Sequence, residues 1–166
     1  MNKKFMIYKI KKGSHYSRIP FPVLCFGDEM IFDVTFFESC RYSTVLPSNQ
    51  TDANKLFGFT EGLTLEHKDS ARFGWHYDLK TKKIVLHAYC YVGGVRKNTE
   101  IGSVEIGVPI NLGIKRFKDE YVFSMNGDVI GKVEKYTGGI YYINFKLFPY
   151  FGGDEVAPHD ILIELK

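Results

Sequence analysis

The sequence predicts an all-β fold, a two-sheet antiparallel β-sandwich of jelly-roll type, and three observations carry that expectation. Ile, Val, Phe and Tyr occur 14, 12, 14 and 11 times against only four Ala, the composition of pleated, half-buried strands rather than of helices. Turn signals built on 16 Gly and 6 Pro cut the chain into short runs, several with apolar residues at every second position and none with helical spacing. About a dozen such runs exceed what one flat sheet accommodates, so two sheets must stack or one must close. The 166 residues read as a single domain, long enough to bury roughly 70% of the surface of the unfolded chain without a disulfide or metal staple.

In chain order the predicted strands are 4–10, 20–25, 30–38, 56–66, 70–77, 84–92, 100–107, 110–118, 120–126, 128–136, 139–148 and 159–165. The first alternates lysines with Phe5, Ile7, Tyr8 and Ile10, which reads as an edge strand guarded by charge, within a basic arm over 1–18. Gly93 and Gly94 end a nine-residue run, Lys118 and Asp119 precede Tyr121, and a reversal is expected around Thr137, Gly138 and Gly139. Asn126 followed by Gly127 is the strongest hairpin signal in the chain. Long loops at 41–55 and 149–158 favour a jelly roll over a simple meander. In the second loop, Pro149 and Pro158 stiffen the approach and exit, Gly152 and Gly153 permit a positive φ, and Phe151 is expected to pack inward, the alternative making Tyr150 and Phe151 together a rim of the ligand site.

Charge and cysteine narrow the classes. Lys3, Lys4, Lys9, Lys11, Lys12 and Arg18 all precede the first acid, Asp28, so the net +3 is an N-terminal effect over a remainder of 16 bases and 19 acids. Such an arm does not make a nucleic-acid interface by itself. Lys9 interrupts the apolar start after four residues, Phe5 to Tyr8, short of a secretory signal, and no run is long enough to span a membrane as a helix. Cys25, Cys40 and Cys90 lie in apolar runs outside any C-x-x-C spacing and read as buried free thiols. A cytoplasmic protein or one leaving the cell without the usual signal, as a virion component does, fits both traits.

Alternation assigns the faces. Along 84–92, Ile84, Leu86, Ala88, Cys90 and Val92 share a core face, and the opposite face carries Val85, His87, Tyr89 and Tyr91 where a plain solvent face would carry Lys, Glu and Thr. Along 70–77, Ala71, Phe73, Trp75 and Tyr77 oppose Ser70, Arg72, Gly74 and His76; along 139–148, Tyr141, Ile143, Phe145 and Leu147 oppose Tyr142, Asn144 and Lys146. In one sheet, Arg72, His76, His87, Tyr89, Tyr91, Tyr142, Asn144 and Lys146 make a continuous polar-aromatic surface. Sugar rings stack their C–H faces on aromatic rings and exchange hydrogen bonds with Arg, Asn and His, so the candidate ligand is a glycan or polysaccharide. The bland reading buries Tyr89 and Tyr91 under a neighbouring loop.

No metal set is read from spacing. His87 and Cys90 are three apart, which places them on opposite faces of a strand. Calcium has three loop candidates, around Asp52 and Asn54, around Asn126 and Asp128, and around Asp154 and Glu155, although acid-rich glycine loops are also ordinary turns. No cofactor motif is present: the chain lacks G-x-S-x-G, H-E-x-x-H, a phosphate loop and a dinucleotide fingerprint.

The strings NKLFGF, SARFGWHY, IVLHAYCYVGG and YYINFKLFPYFGGDEVAPHDI resemble small concanavalin A-like jelly-roll domains, including uncharacterised ones of Bacteroidetes and their phages. The resemblance covers residues 30–165 and implies a glycan-related role, since that superfamily includes lectins, carbohydrate-binding modules, glucanases and alginate lyases. Its enzyme branches resemble patterns that this chain departs from. The glucanase E-x-D-x-x-E is absent, and no two of the nineteen acids are two positions apart. Of the lyase patterns R-x-E-x-R, Q-I-H and Y-F-K-x-G-x-Y, the first two are missing and 141–146 echoes the third only loosely. Non-catalytic, lectin-like binding through one sheet face is therefore the leading expectation. A structural or virion-assembly protein using the same face as a homo-oligomer interface is the alternative, and a polysaccharide lyase or hydrolase is third.

Overall fold

The computed structural model describes residues 5–17, 21–136 and 141–166. Twelve strands appear in it: β1 (Met6–Ile10), β2 (Leu24–Phe26), β3 (Glu29–Phe36), β4 (Asn54–Thr60), β5 (Ser70–Tyr77), β6 (Ile84–Val92), β7 (Val95–Val104), β8 (Ile110–Arg116), β9 (Glu120–Met125), β10 (Asp128–Glu134), β11 (Ile143–Leu147) and β12 (Ile161–Leu165). They form two six-stranded sheets, sheet I in the order β1-β12-β3-β8-β9-β10 and sheet II in the order β2-β11-β4-β5-β6-β7. The strand pairings among the described residues are all antiparallel, and successive strands change sheet after β1, β2, β3, β7, β10 and β11. Two short 3₁₀ turns, Glu38–Cys40 and Pro47–Asn49, sit in the long connection before β4.

The sheets are held face to face by aromatic rings supplied alternately by both. Phe32 and Phe36 of β3 meet Phe73 at 6.0 Å and Trp75 at 5.3 Å, and Phe123 of β9 meets Phe73 edge-on at 5.0 Å. These side chains are fully buried or nearly so, and edge-to-face pairs of this kind add about 0.5–1.5 kcal/mol each beyond the area they bury. Cys40 and Cys90 are buried within this core and Cys25 is partly buried, all as free thiols.

Local signals act where the chain requires them. Asn126 and Gly127 both take positive φ, +52° and +90°, and close the β9–β10 hairpin. Gly93 and Gly94 turn β6 directly into β7 at φ +58° and +79°, so β7 starts at Val95 rather than at 100 as predicted. The run predicted as 56–66 ends at Thr60, and residues 61–69 form a loop. β1 is an edge strand, as its lysines indicated, and Lys9 reaches Asp160 at 2.5 Å. Lys3, Lys4 and Arg18, the start of the run predicted at 20–25, the reversal at Thr137 to Gly139 and the first two residues of the run predicted at 139–148 lie outside the described residues.

In β4 a bulge between Lys55 and Gly58 sets Leu56 and Phe57 against a single residue of β5, so both enter the core while Lys55 and Gly58 stay on the outer face. That extra residue aligns the outer face of sheet II.

Candidate functional site

Cross-strand registers arrange the outer face of sheet II in rows. Leu147, Gly58, Arg72, Tyr89 and Asn98 follow one another across β11, β4, β5, β6 and β7. A second row runs Thr60, Ser70, Tyr91 and Arg96, and a third runs Lys55, Gly74, His87 and Glu100. Glycine in two of these rows makes space. A Cβ on Gly58 would fall on the Ala71 carbonyl oxygen and the Arg72 side chain, so the Arg72 side chain has room there that any other residue would fill.

Arg72 is the floor of the site. Its Nη2 donates to the carbonyls of Leu56, at 3.1 Å, and Phe148, whereas Nε is buried and has no hydrogen-bond partner among the described residues. Burial pulls its pKa down to about 10, which leaves it charged at neutral pH. A buried guanidinium with a donor unspent is costly unless a ligand supplies the acceptor.

Walls rise on both sides. Tyr89 and Tyr91 pack edge to face at 6.0 Å, and His67 caps Tyr91 at 5.1 Å. Burial, reinforced by the Tyr91 hydroxyl, pushes the Tyr89 pKa up to about 12. Opposite them, the backbone of Tyr150 pairs with Lys55 in both directions at 2.8 and 3.1 Å, and the Tyr150 ring meets Tyr16 edge-on at 5.1 Å and stacks on His15 at 5.2 Å. The Lys55 ammonium lies 4.8 Å from the centre of the Tyr89 ring and 5.6 Å from that of Tyr150. Burial first, then repulsion from Arg72 and Arg96, lowers its pKa to about 8.

These walls enclose two adjoining cavities that share Tyr16, Glu66, Arg72 and Tyr150 as a waist. One, of about 340 Å³, is cationic and aromatic, with Lys55, Arg96, Tyr89 and Tyr91 in its lining and Asp154 its second acid after Glu66. The other, of about 280 Å³, is apolar, with Phe21, Leu65, Phe145 and Leu147. Together they make an elongated trough across sheet II.

Five of the eight residues singled out in the sequence, Arg72, His76, His87, Tyr89 and Tyr91, share this outer face on β5 and β6. His76 and His87 are buried at 3% exposure each, and neither lines the two cavities. Nδ1 of His76 lies 2.7 Å from Nε2 of His87. Burial, followed by the neighbouring His76, pulls the His87 pKa down to about 4, so its ring is neutral near pH 7.

Of the other three, Lys146 lines the apolar cavity of the trough, and Asn144 and Tyr142 line neither cavity. Asn144 points between the sheets, where its amide oxygen accepts from Nη1 of Arg116 and the amide of Gly62 and its nitrogen donates to the carbonyl of Gly27. Lys146 pairs in register with Phe59, a core residue, and its ammonium sits 4.0 Å over the Phe57 ring. Tyr142 precedes β11, is exposed and packs near Phe26 at 6.1 Å. The expectation of one continuous surface through β11 is thus corrected by a face inversion: Phe145 and Leu147, the apolar set assigned to the core, line the trough. The cause is that the interior at this edge is polar. Arg116, 4% exposed and 3.7 Å from the Glu61 carboxylate, draws Asn144 inward.

Sequence reasoning missed Lys55, Arg96 and Glu66; in the second loop Phe151 packs inward against Tyr42 at 5.1 Å, and the alternative of Tyr150 and Phe151 as a joint rim is corrected to Tyr150 alone, which lines the trough. Lys55 was assigned to the loop at 41–55, whereas β4 begins at Asn54 and the bulge after Lys55 sets its outward face. Of the calcium candidates, Glu155 spends its carboxylate on the amides of Val45 and Leu46 and the Asn49 side chain, Asn54 accepts from Gly152, and Asn126 accepts from Asn111. These oxygens hold turns.

No protein-family model matches the chain, and no curated protein matches it in sequence. Solved structures do match in fold. The alginate lyase AlyC3 superposes with a TM-score of 0.61 at 10% identity over 98% of this chain and 72% of its own. An endo-acting O-glycanase of the human gut microbiota gives 0.59 at 10% identity over 97% and 76%. The catalytic domain of a laminarinase from Thermotoga petrophila gives 0.58 at 9% identity over 97% and 74%. At these identities the likeness establishes the concanavalin-like jelly-roll sandwich and nothing narrower.

Proposed function

We propose that this protein binds carbohydrate without chemical turnover, through the trough on sheet II, and that the preferred ligand is an acidic glycan carrying carboxylate or sulfate groups. The observation that carries this reading is the Arg72 row: a buried guanidinium with an unspent Nε–H beneath the rings of Tyr89, Tyr91 and Tyr150. The rings offer C–H stacking, and Arg72, Lys55 and Arg96 outnumber Glu66 and Asp154 in the cationic cavity. That three glycan-active enzymes share the fold supports the class of ligand by analogy only.

The test is a calorimetric panel of alginate, polygalacturonate, laminarin and mixed-linkage glucan against the wild type and the Tyr91→Ala and Arg96→Ala variants, both at half-exposed or exposed positions. Binding of an acidic polymer that weakens with added salt and is lost in both variants supports the reading. Equal binding by the variants, or none by the wild type, overturns it.

One observation favours a second reading, a β-eliminating lyase. Lys55, with its pKa near 8, sits beside Arg72 and against the rings of Tyr89 and Tyr150. Elimination from a uronate needs a base for the C5 proton, a cation on the carboxylate and a proton for the departing C4 oxygen. Lys55, Arg72 and Tyr150 offer those three. Ultraviolet absorbance from an unsaturated uronate, lost in Lys55→Met, would establish turnover; a flat trace with an acidic polymer that binds would exclude it.

A further inference from the structure

We propose that His76, His87 and Glu100 form a binding site for a divalent transition metal of the zinc class, on the same sheet face and one row beyond the glycan trough. One ligand atom from each of the three residues lies within 4.8 Å of the other two. His87 and Glu100 are direct cross-strand partners, brought opposite by the irregularity between Leu86 and His87 in the β6–β7 ladder. His76 reaches the same point diagonally from β5, where its register partner is Val85. Gly74 keeps the space open, since a Cβ there would stand 3.1 Å from that of His87.

Two features mark the pair as more than a packed histidine contact. Both rings are 3% exposed, and their nitrogens approach to 2.7 Å, so the two imidazoles share one proton between them. Nδ1 of His87, on the ring edge away from His76, is buried with no hydrogen bond of full geometry among the described residues and has the Asn98 side chain beside it, the place from which an outer partner orients a metal-bound imidazole. A tetrahedral zinc ion with bonds of about 2.0–2.1 Å holds its nitrogen ligands about 3.3 Å apart. Spreading the rings by about 0.6 Å would seat the ion in place of the shared proton, with Glu100, which is exposed, closing from the solvent side. Two imidazoles and one carboxylate select zinc, cobalt, nickel or copper over magnesium and calcium. Three protein ligands leave one position open toward the outer face.

This inference does not rest on the glycan reading, because the metal is titrated with no sugar present. Chelator-stripped protein is titrated calorimetrically with Zn²⁺, with Ca²⁺ as the control, and the Co²⁺ complex is read by its visible absorption. The expected result is one Zn²⁺ per chain, no heat with Ca²⁺, an intense tetrahedral Co²⁺ band, and affinity lowered more than about 10-fold in Glu100→Gln and more than about 100-fold in His87→Gln. Glu100 is exposed, so its variant remains informative if a histidine variant fails to fold. No saturable Zn²⁺ binding, or unchanged affinity in Glu100→Gln, overturns the site.

Discussion

The amide oxygen of Asn144 accepts a 2.9 Å hydrogen bond from Nη1 of Arg116, and this contact ties β11 of sheet II to β8 of sheet I. Arg116 also donates to the carbonyls of Gly27 and Tyr141, and Glu61 in turn accepts from the Tyr121 hydroxyl at 2.7 Å. The edge of the sandwich is therefore closed by a buried polar network rather than by apolar packing. Removing the Asn144 side chain takes the acceptor from Nη1 of Arg116 and from the amide of Gly62. Asn144→Ala should cost about 2–3 kcal/mol in urea unfolding, and the folded variant should keep wild-type glycan affinity. A loss of affinity without a loss of stability would instead make Asn144 a ligand contact.

Gly58 is a position where the trough and the fold depend on the same atom. Gly58→Ala would drive a methyl group into the Ala71 carbonyl and the Arg72 side chain. Backbone is in the way and cannot swing aside, so a destabilisation above about 3 kcal/mol is expected, or no folded protein at all. A thermal midpoint within a few degrees of wild type would contradict the register that sets Arg72 under the tyrosines.

Lys55 gives the site a pH dependence whose sign is fixed by its environment. Its folded pKa of about 8 lies below the ordinary 10.5, so between those values the unfolded chain holds more protons than the folded one. Stability should rise with pH across that window, because the cost of burying the charge beside Arg72 and Arg96 is relieved as the amine deprotonates. Affinity for an acidic glycan should fall over the same range as one cation is lost. In Lys55→Met both slopes should flatten; a slope that survives would belong to another group.

Thiol chemistry reports on the core. Burial raises the pKa of Cys40 and Cys90 far above the usual range and raises that of Cys25 less. Native protein should therefore titrate at most one thiol with an aromatic disulfide reagent, at Cys25, and all three after unfolding. Rapid native reaction of two or more would contradict the packing of the sandwich.

Much of this fold is written in local pattern. All twelve predicted runs correspond to strands, because period-2 alternation, Asn126 with Gly127, and Gly93 with Gly94 act over a few residues. The two-sheet antiparallel jelly roll follows from them. The site is less legible where it depends on partners far along the chain. Tyr89 and Arg72 were readable because β5 and β6 alternate without interruption. β11 also alternates, but Phe145 and Leu147 look like a core face until Arg116, 28 residues before Asn144, is known to pull that asparagine inward. The bulge that turns Lys55 outward leaves no mark in an apolar string such as Leu56, Phe57, Gly58 and Phe59. His76 and Glu100 meet His87 only across strands, at offsets no linear motif holds.

The central claim is that the trough over Arg72 takes an acidic glycan, and the most direct measurement is calorimetric titration of an oligouronate and a neutral glucan oligomer of equal length into wild type and Arg96→Ala. The account predicts saturable binding of the oligouronate alone, weakened at least about 10-fold by the substitution and by salt. Equal heats for both oligomers, or wild-type affinity in the variant, would contradict it. Silence with both would move this face to an assembly role, to be sought next in the protein's mass in solution.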